Sequence, residues 1–283
     1  MSRPRLNVLG AGRLGRTLAR MWAEAGQVEV QALLGRDANR LVQAQAFVGQ
    51  GQIHTRLDTL PDAELWLLSV PDAQIAPMTQ ALAALGRAPA LVWHCSGFCP
   101  STVLAPLQAQ GWLTASVHPV YSFAQPDQAL TQFAGTPCGV EGQDAALQRL
   151  RPLWAAIGGQ CFEIAAEHKT LYHTAAVFSS NFVPVLQAVA QGLWRHAGVP
   201  EALIPRLMAQ LLGPVTQNIL NLGPAHALTG PAARGDTAVV QAERAALAPC
   251  GPEVALAYQT LSTLAARLAR EGGLANPRLP EGG

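Results

Sequence analysis

Two groups of residues carry the chemistry open to this sequence. The first is Gly10-Ala11-Gly12-Arg13-Leu14-Gly15, set between a short apolar run and an amphipathic one. Glycines at this spacing suit a turn that lays a pyrophosphate on a helix N-terminus. Gly10 permits the tight turn, Gly12 lets backbone amides approach the phosphates, and Gly15 lets the helix pack closely on the strand. Unpaired amides and the helix dipole then favour the anion. The six-residue motif alone is weak, but strand, loop, helix and second strand all follow within about 30 residues. Gly10, Gly12, Arg13, Leu14 and Gly15 are therefore assigned to cofactor binding.

The second group is Glu167-His168-Lys169-Thr170-Leu171-Tyr172-His173, continuing to Asn181. Lys169 is the only lysine in a chain with 19 basic Lys and Arg side chains. An ammonium can lose its proton inside a protein and a guanidinium cannot, so Lys169 is the expected proton donor to an alkoxide developing during hydride transfer. His173 lies four residues on, on the same helix face, and is expected to hold the substrate. Asn181 reaches the same place only if the helix borders a broad cleft. The structural alternative is a helix-start cation paired with Glu167 beside a buried, hydrogen-bonded histidine.

Further positions refine the site. An acidic residue about 20 positions after the glycine loop would bind the ribose 2′-hydroxyl of NAD, but this sequence reads Gly35-Arg36-Asp37. Arg36 can pair its planar fork with a 2′-phosphate, assisted by Arg13, so NADP is expected ahead of NAD, with Asp37 as a helix N-cap. Ser69, Val70 and Pro71 close another strand and are expected to line the nicotinamide and its ribose. His94-Cys95-Ser96-Gly97 and His118-Pro119 follow two more strands. Ser96 and the Gly97 amide could bind a carboxylate or carbonyl oxygen, and His118 could bind or protonate a substrate oxygen. Cys95 and Cys99 read as small buried apolar residues. A polar loop over Ala227–Asp236 offers Arg234 for a substrate anion, with Asp236 to orient it or to cap the next helix. An internal salt bridge between the two is the plain alternative.

These residues need a scaffold, and the patterning supplies one. Short β-type runs at Arg5–Leu9, Val28–Leu34, Leu65–Val70, Ala90–His94, Thr114–His118, Pro137–Val140 and Cys161–Ile164 alternate with helical segments at Leu14–Ala25, Ala38–Val48, Ala73–Leu85, Ser101–Gln110 and Asp144–Ile157. That alternation predicts a Rossmann-type α/β domain with a parallel sheet over residues 1–165. The strand signal then stops. Helices expected over Glu167–Ala197, Pro200–Leu222, Thr237–Ala248 and Pro252–Glu271 make residues 166–271 an all-α substrate and dimerisation domain, and the Gly- and Pro-rich 272–283 a flexible tail.

Composition narrows the partners. The chain has 283 residues and a net charge of +1, with no basic run able to follow a nucleic-acid backbone. Charged residues are 13% of the chain, against about 25% in an average soluble domain, which points to surface covered by a second copy. Five scattered cysteines lack zinc-ligand spacing and suit a reducing cytoplasm, so no metal is expected. The stretches 170–194 and 207–233 lack charged side chains but carry His173, Asn181, Gln187, Gln191, Gln217 and Asn221. Such residues are costly in lipid, and helices buried in a dimer core are expected instead of membrane spans.

With Ser69-Val70-Pro71-Asp72, Lys169-x-x-Tyr172-His173, Ser180-Asn181 and Leu228-Thr229-Gly230-Pro231-x-x-Arg234-Gly235-Asp236 added to the motifs above, the sequence resembles the family that joins a Rossmann-like domain to domain of unknown function 2520. That family is similar to deazaflavin-dependent NADP oxidoreductases, pyrroline-5-carboxylate reductases and β-hydroxyacid dehydrogenases, whose C-terminal domains are of the 6-phosphogluconate dehydrogenase type. The resemblance implies a nucleotide domain followed by a helical dimerising domain, and a small-molecule substrate. It also implies a Lys-x-x-x-Asn pair at the reacting carbon, where this chain has Lys169 and His173. The reading is a cytoplasmic, homodimeric NADP-dependent oxidoreductase acting on a small carbonyl, imine or hydroxy compound. Its alternatives are a catalytically silent NADP sensor and a reductase that passes hydride to a deazaflavin.

Overall fold

The computed structural model describes residues 2–274, so 275–283 of the expected tail lie outside the described residues. The chain divides into two compact units, one ending at Phe178 and the other beginning at Ser179.

The first unit is built on an eight-stranded sheet. Its strands are β1 (Arg5–Leu9), β2 (Glu29–Leu34), β3 (Gln52–His54), β4 (Leu65–Leu68), β5 (Leu91–His94), β6 (Leu113–Pro119), β7 (Pro137–Gly142) and β8 (Gln160–Glu163), in the order β3-β2-β1-β4-β5-β6-β7-β8. β4 and β5 are apolar and buried at nearly every position, as strands covered on both faces must be. Successive side chains point to opposite faces. Leu6 and Val8 of β1 therefore enter one core with Trp22, Trp93 and Trp154, while Leu9 enters the other with Trp66, Leu68 and Trp112.

Helices α1 (Arg13–Glu24), α2 (Ala38–Val48), α5 (Pro126–Gln132) and α6 (Asp144–Ala155) contribute to the first core. Helices α3 (Asp72–Ala84) and α4 (Ala105–Gln108) contribute to the second. Trp22 ties the first layer together. It stacks edge-on with Trp93 and Trp154 at 5.7 and 5.2 Å, and its Nε1–H donates to the Leu153 carbonyl of α6 at 3.0 Å.

Three expectations are corrected here. The sheet is not parallel throughout: β7 runs antiparallel to β6, with Pro119 opposite Cys138 and Ser116 opposite Glu141. The chain leaving β6 turns back at the same sheet edge through α5, so no crossover carries it to the far edge. β3 was not expected. It is a three-residue edge strand with no buried residue, and so leaves no apolar alternation to read. The expected helix Ser101–Gln110 is a 3₁₀ turn, Ser101–Leu104, leading into the single α-helical turn of α4.

Beyond β8 the chain is helical. A 3₁₀ turn leads into α7 (Lys169–Ala176), and a π-helical turn, Val177–Asn181, continues into α8 (Phe182–His196). The second unit goes on through α9 (Ile204–Leu222), α10 (Pro224–Ala227), α11 (Pro231–Arg234), α12 (Thr237–Ala246) and α13 (Pro252–Glu271). The segment expected as a polar loop thus contains one short helix, α11, and begins at the last residue of another, α10. Each starts on a Gly-Pro pair, which sets proline in the first helical turn where its missing N–H costs nothing.

Replacing Trp22 by alanine removes a fully buried ring and a bridge between two helices. Chemical denaturation should show a loss of about 3–5 kcal/mol, and a loss below 1 kcal/mol would contradict this account of the core.

Candidate active site

The strand order reverses direction at β1 and β4, and in an open α/β sheet ligands bind at the carboxyl ends of the strands at such a point. The glycine segment leaves β1 there. Gly10 has φ +101°, and a Cβ on it would lie 2.6 Å from the Ser69 carbonyl oxygen. At Gly15 a Cβ would lie 2.2 Å from Ser69 Oγ and 2.4 Å from the Gly10 carbonyl oxygen. The Ser69 hydroxyl closes this contact by donating to the Gly10 carbonyl at 2.5 Å. Gly12 is different: nothing stands within 4 Å of the place its Cβ would take, and α1 begins there without a side-chain cap. The first-turn amides have no partner within the helix, so this chain's residues fit a pyrophosphate.

A crevice of roughly 600 Å³ opens at this place, lined by Gly10, Ala11 and Gly12, by Arg36, Asp37 and Arg40, and by Ser69, Val70 and Pro71. Its size is that of a small-ligand or cofactor site. Asp37 is the N-cap of α2. Its carboxylate accepts from the amides of Asn39 and Arg40 at 2.9 and 3.2 Å and lies 3.5 Å from the Arg40 guanidinium. Arg36 has no ion pair among the described residues. Arg13 stands exposed at the head of α1, Leu14 packs against the core and Gly15 is buried beneath the turn, so none of these three residues lines the crevice. Arg40, in the first turn of α2 after the N-cap Asp37, also lines the crevice and was missed.

A second cluster lies at the same sheet edge, where β5 and β6 end. The Ser96 hydroxyl accepts from the amides of Phe98 and Cys99 at 3.1 and 2.8 Å and shapes the loop after β5. Cys99 Sγ lies 4.0 Å from the Asp72 carbonyl oxygen, which brings this loop against the residue following Pro71 of the crevice. His118 Nδ1 and Tyr172 Oη are hydrogen-bonded at 2.9 Å, and the His118 and His173 rings are 6.2 Å apart. Both imidazoles close on Gly97: a Cβ there would be 2.8 Å from His173 Nδ1 and 2.9 Å from His118 Nε2. Gly139, opposite His118 in β7, likewise lets Tyr172 in, since its Cβ would lie 3.1 Å from Tyr172 Oη. His173 Nδ1 is buried and has no hydrogen-bond partner among the described residues.

Lys169 is only 1% exposed. Its Nζ donates to the Ser96 carbonyl at 3.0 Å and to the Ser116 hydroxyl at 2.5 Å, and lies 3.5 Å from Glu141 Oε1. Its partner is thus Glu141, which is 8% exposed, and not Glu167. Burial holds the Lys169 amine below its usual range, with Glu141 acting against that. Burial, and then the Lys169 charge, brings His118 down to about 4 and His94 to about 3. Burial raises Tyr172 to about 12 and pushes the Cys95 thiol up, against a nucleophilic role for that cysteine. His94 is engaged at both nitrogens, by the Ser96 amide at 3.2 Å and the Pro100 carbonyl at 3.3 Å.

The structure therefore brings together Ser96, Gly97, His118, Lys169 and His173 in the first unit. Asn181 ends the π-helical turn in the second unit, where its side-chain oxygen accepts from the Ser180 hydroxyl at 2.8 Å. Arg234 and Asp236, also in the second unit, form the plain salt bridge at 2.9 Å, and the Asp236 side chain makes no capping bond. Glu141, Ser116 and Tyr172 were missed as site residues.

With this geometry in view, residues 1–119 match the model of the Rossmann-like domain and residues 136–265 match that of the Domain of unknown function (DUF2520). The two matches follow one another along the chain. Among solved structures it is similar to the candidate NADP oxidoreductase BF3122 from Bacteroides fragilis, at 23% identity and a TM-score of 0.77, covering 94% of this chain and 98% of that one. Protein TM1727 from Thermotoga maritima is similar at 27% identity and a TM-score of 0.71, with coverage of 94% and 99%. A glycerol-3-phosphate dehydrogenase [NAD(P)+] of Thiobacillus denitrificans is 24% identical over 217 residues, 73% of this chain. The chain spans 66% of the length of that curated relative.

The buried imidazoles make the Rossmann-like domain sensitive to acid. An unfolded histidine titrates near pH 6.5, whereas His118 and His94 are held at about 4 and about 3 in the fold. Across that window the unfolded chain binds more protons, so the stability these residues contribute is complete above their unfolded value and is lost as pH falls. The thermal midpoint should drop between about pH 6.5 and 4, less steeply in His118→Asn. A midpoint that stays flat over this window would contradict the burial of both rings.

Proposed function

We propose that the protein is an NAD(P)-dependent oxidoreductase, that NADP is its cofactor, and that its substrate is a small carbonyl, imine or hydroxy compound. The observation that carries this reading is the juxtaposition, at one sheet edge, of an open glycine turn and a histidine–tyrosine cluster linked to it through Asp72 and Cys99. The oxidoreductases among its structural and curated relatives support the same class. Bound at the crevice, the dinucleotide supplies a hydride acceptor or donor.

The chain's own residues then have separable tasks. The first-turn amides after Gly12 hold the pyrophosphate. Arg36 and Arg40 hold the 2′-phosphate, since the one carboxylate nearby, Asp37, is engaged as a helix cap. Val70 and Pro71 line the path toward the loop after β5. In the oxidative direction the neutral His118 imidazole takes the hydroxyl proton at Nε2 while Nδ1–H donates to Tyr172, which stays a phenol. Lys169, with its donors engaged and its amine enclosed, is not assigned the proton transfer.

We also propose a homodimer formed through the helical unit. Among its described residues only Ile204, Ala227 and Leu247 are buried hydrophobics, while Val185, Leu211, Leu220 and Leu256 are each exposed. Helices this apolar and this bare need a partner's surface to bury. Light scattering should give twice the chain mass, and Leu211→Arg with Leu220→Arg should shift it toward one.

Cofactor preference is read by titrating the protein with NADPH and NADH. Arg36→Ala should weaken NADPH by about 10–100-fold, as expected for losing a charge-assisted contact, and leave NADH within about twofold. Tighter binding of NADH by the unsubstituted protein would overturn the assignment to Arg36.

A further inference from the structure

The single lysine is buried and engaged by groups of the protein itself. Its amine sits where three segments converge. The Ser96 carbonyl belongs to the loop after β5, the Ser116 hydroxyl to β6 and the Glu141 carboxylate to β7. Glu141 in turn grips the far end of the same loop, accepting from the Ser101 amide and the Ser101 hydroxyl, each at 2.6 Å. One ion pair therefore holds the loop at both ends, by Lys169 at Ser96 and by Glu141 at Ser101. Between those ends lie Gly97, on which His118 and His173 close, and Phe98, whose ring meets His173 edge-on at 6.4 Å. Lys169 is also the first residue of α7, the helix that carries Tyr172 and His173.

We infer that Lys169 and Glu141 are positioning residues, an internal clamp that fastens the Ser96–Ser101 loop to α7 and so fixes the His118–Tyr172–His173 cluster over Gly97. The register explains why it takes this pair. The antiparallel turn-back sets Glu141 opposite Ser116, so the carboxylate arrives beside the hydroxyl that Lys169 already binds. A buried charge survives only when it is paired and its hydrogens are used, and this amine meets both conditions. The clamp has an electrical consequence as well. Burial holds His118 down most; among the charged and titratable groups around it, Lys169, Tyr172 and His173 from α7 and Asp72 from α3, it is Lys169 that opposes its protonation most. The part of the inference that concerns His118 as a proton carrier rests on the function proposed above; the clamp does not.

Because there is one lysine, amine labelling reads the clamp directly. A succinimidyl ester applied to the folded, unsubstituted protein should leave Lys169 unmodified in peptide mass spectra, and modify it once the chain is denatured. Equal labelling in both states would overturn the inference and return the amine to the role of an accessible proton donor. In Glu141→Gln, Lys169 should become reactive while folded, and amide exchange should accelerate in both 96–101 and 169–176. Acceleration in neither segment, or in one alone, would show that the pair does not join them. In Lys169→Met, the His118 titration followed by NMR should move up from about 4 toward the ordinary histidine range, because the charge that opposes its protonation is gone; an unchanged titration would contradict this part of the inference. None of these readouts needs cofactor or substrate. A failed NADPH titration would sink the function proposed above and leave the clamp standing.

Discussion

The fold of the first unit depends on one close contact, that of Gly15 and Gly10 with Ser69. The space a side chain would need at Gly15 is filled by the Gly10 carbonyl and the Ser69 hydroxyl, and at Gly10 by the Ser69 backbone. This contact brings the start of α1 down onto the ends of β1 and β4. It also leaves Gly12 as the one glycine of the motif beside open space. A crevice at the strand ends and a set of unpaired amides beside it both follow from that packing. Larger residues at positions 10 or 15 would lift the helix and close neither gap usefully.

A second constraint is topological. Since β7 turns back along β6 and does not cross over, Glu141 falls opposite Ser116 and Gly139 opposite His118. The first pairing supplies the carboxylate that makes a buried lysine tenable. The second supplies a gap in the sheet surface through which Tyr172 reaches the His118 ring. The same turn thus furnishes the electrostatics and the shape of the cluster, at the edge where the crevice opens.

Much of this was legible in the sequence, and what was not has identifiable causes. Long apolar strands and amphipathic helices leave strong periodic signals, and the strands bearing Gly10, Ser69, Ser96 and His118 were all placed on one edge from pattern alone. The lone lysine was picked out as unusual and expected to face the substrate, with a pairing to Glu167, two residues away in sequence, as the structural alternative. The actual partner, Glu141, is set by strand direction, and local sequence does not encode whether a strand returns parallel or antiparallel. β3 was missed because three exposed residues carry no pattern. Arg234 and Asp236, offered as substrate ligands, bind each other, as adjacent opposite charges on an exposed turn commonly do.

The central claim is that a dinucleotide lies with its pyrophosphate on the amides after Gly12. The most direct measurement is a crystal structure of the full chain grown with NADPH. The account requires phosphate density at the head of α1, with the 2′-phosphate beside Arg36 and the nicotinamide toward Val70 and Pro71. Dinucleotide bound away from the glycine turn, or an empty crevice at saturating concentration, would contradict it.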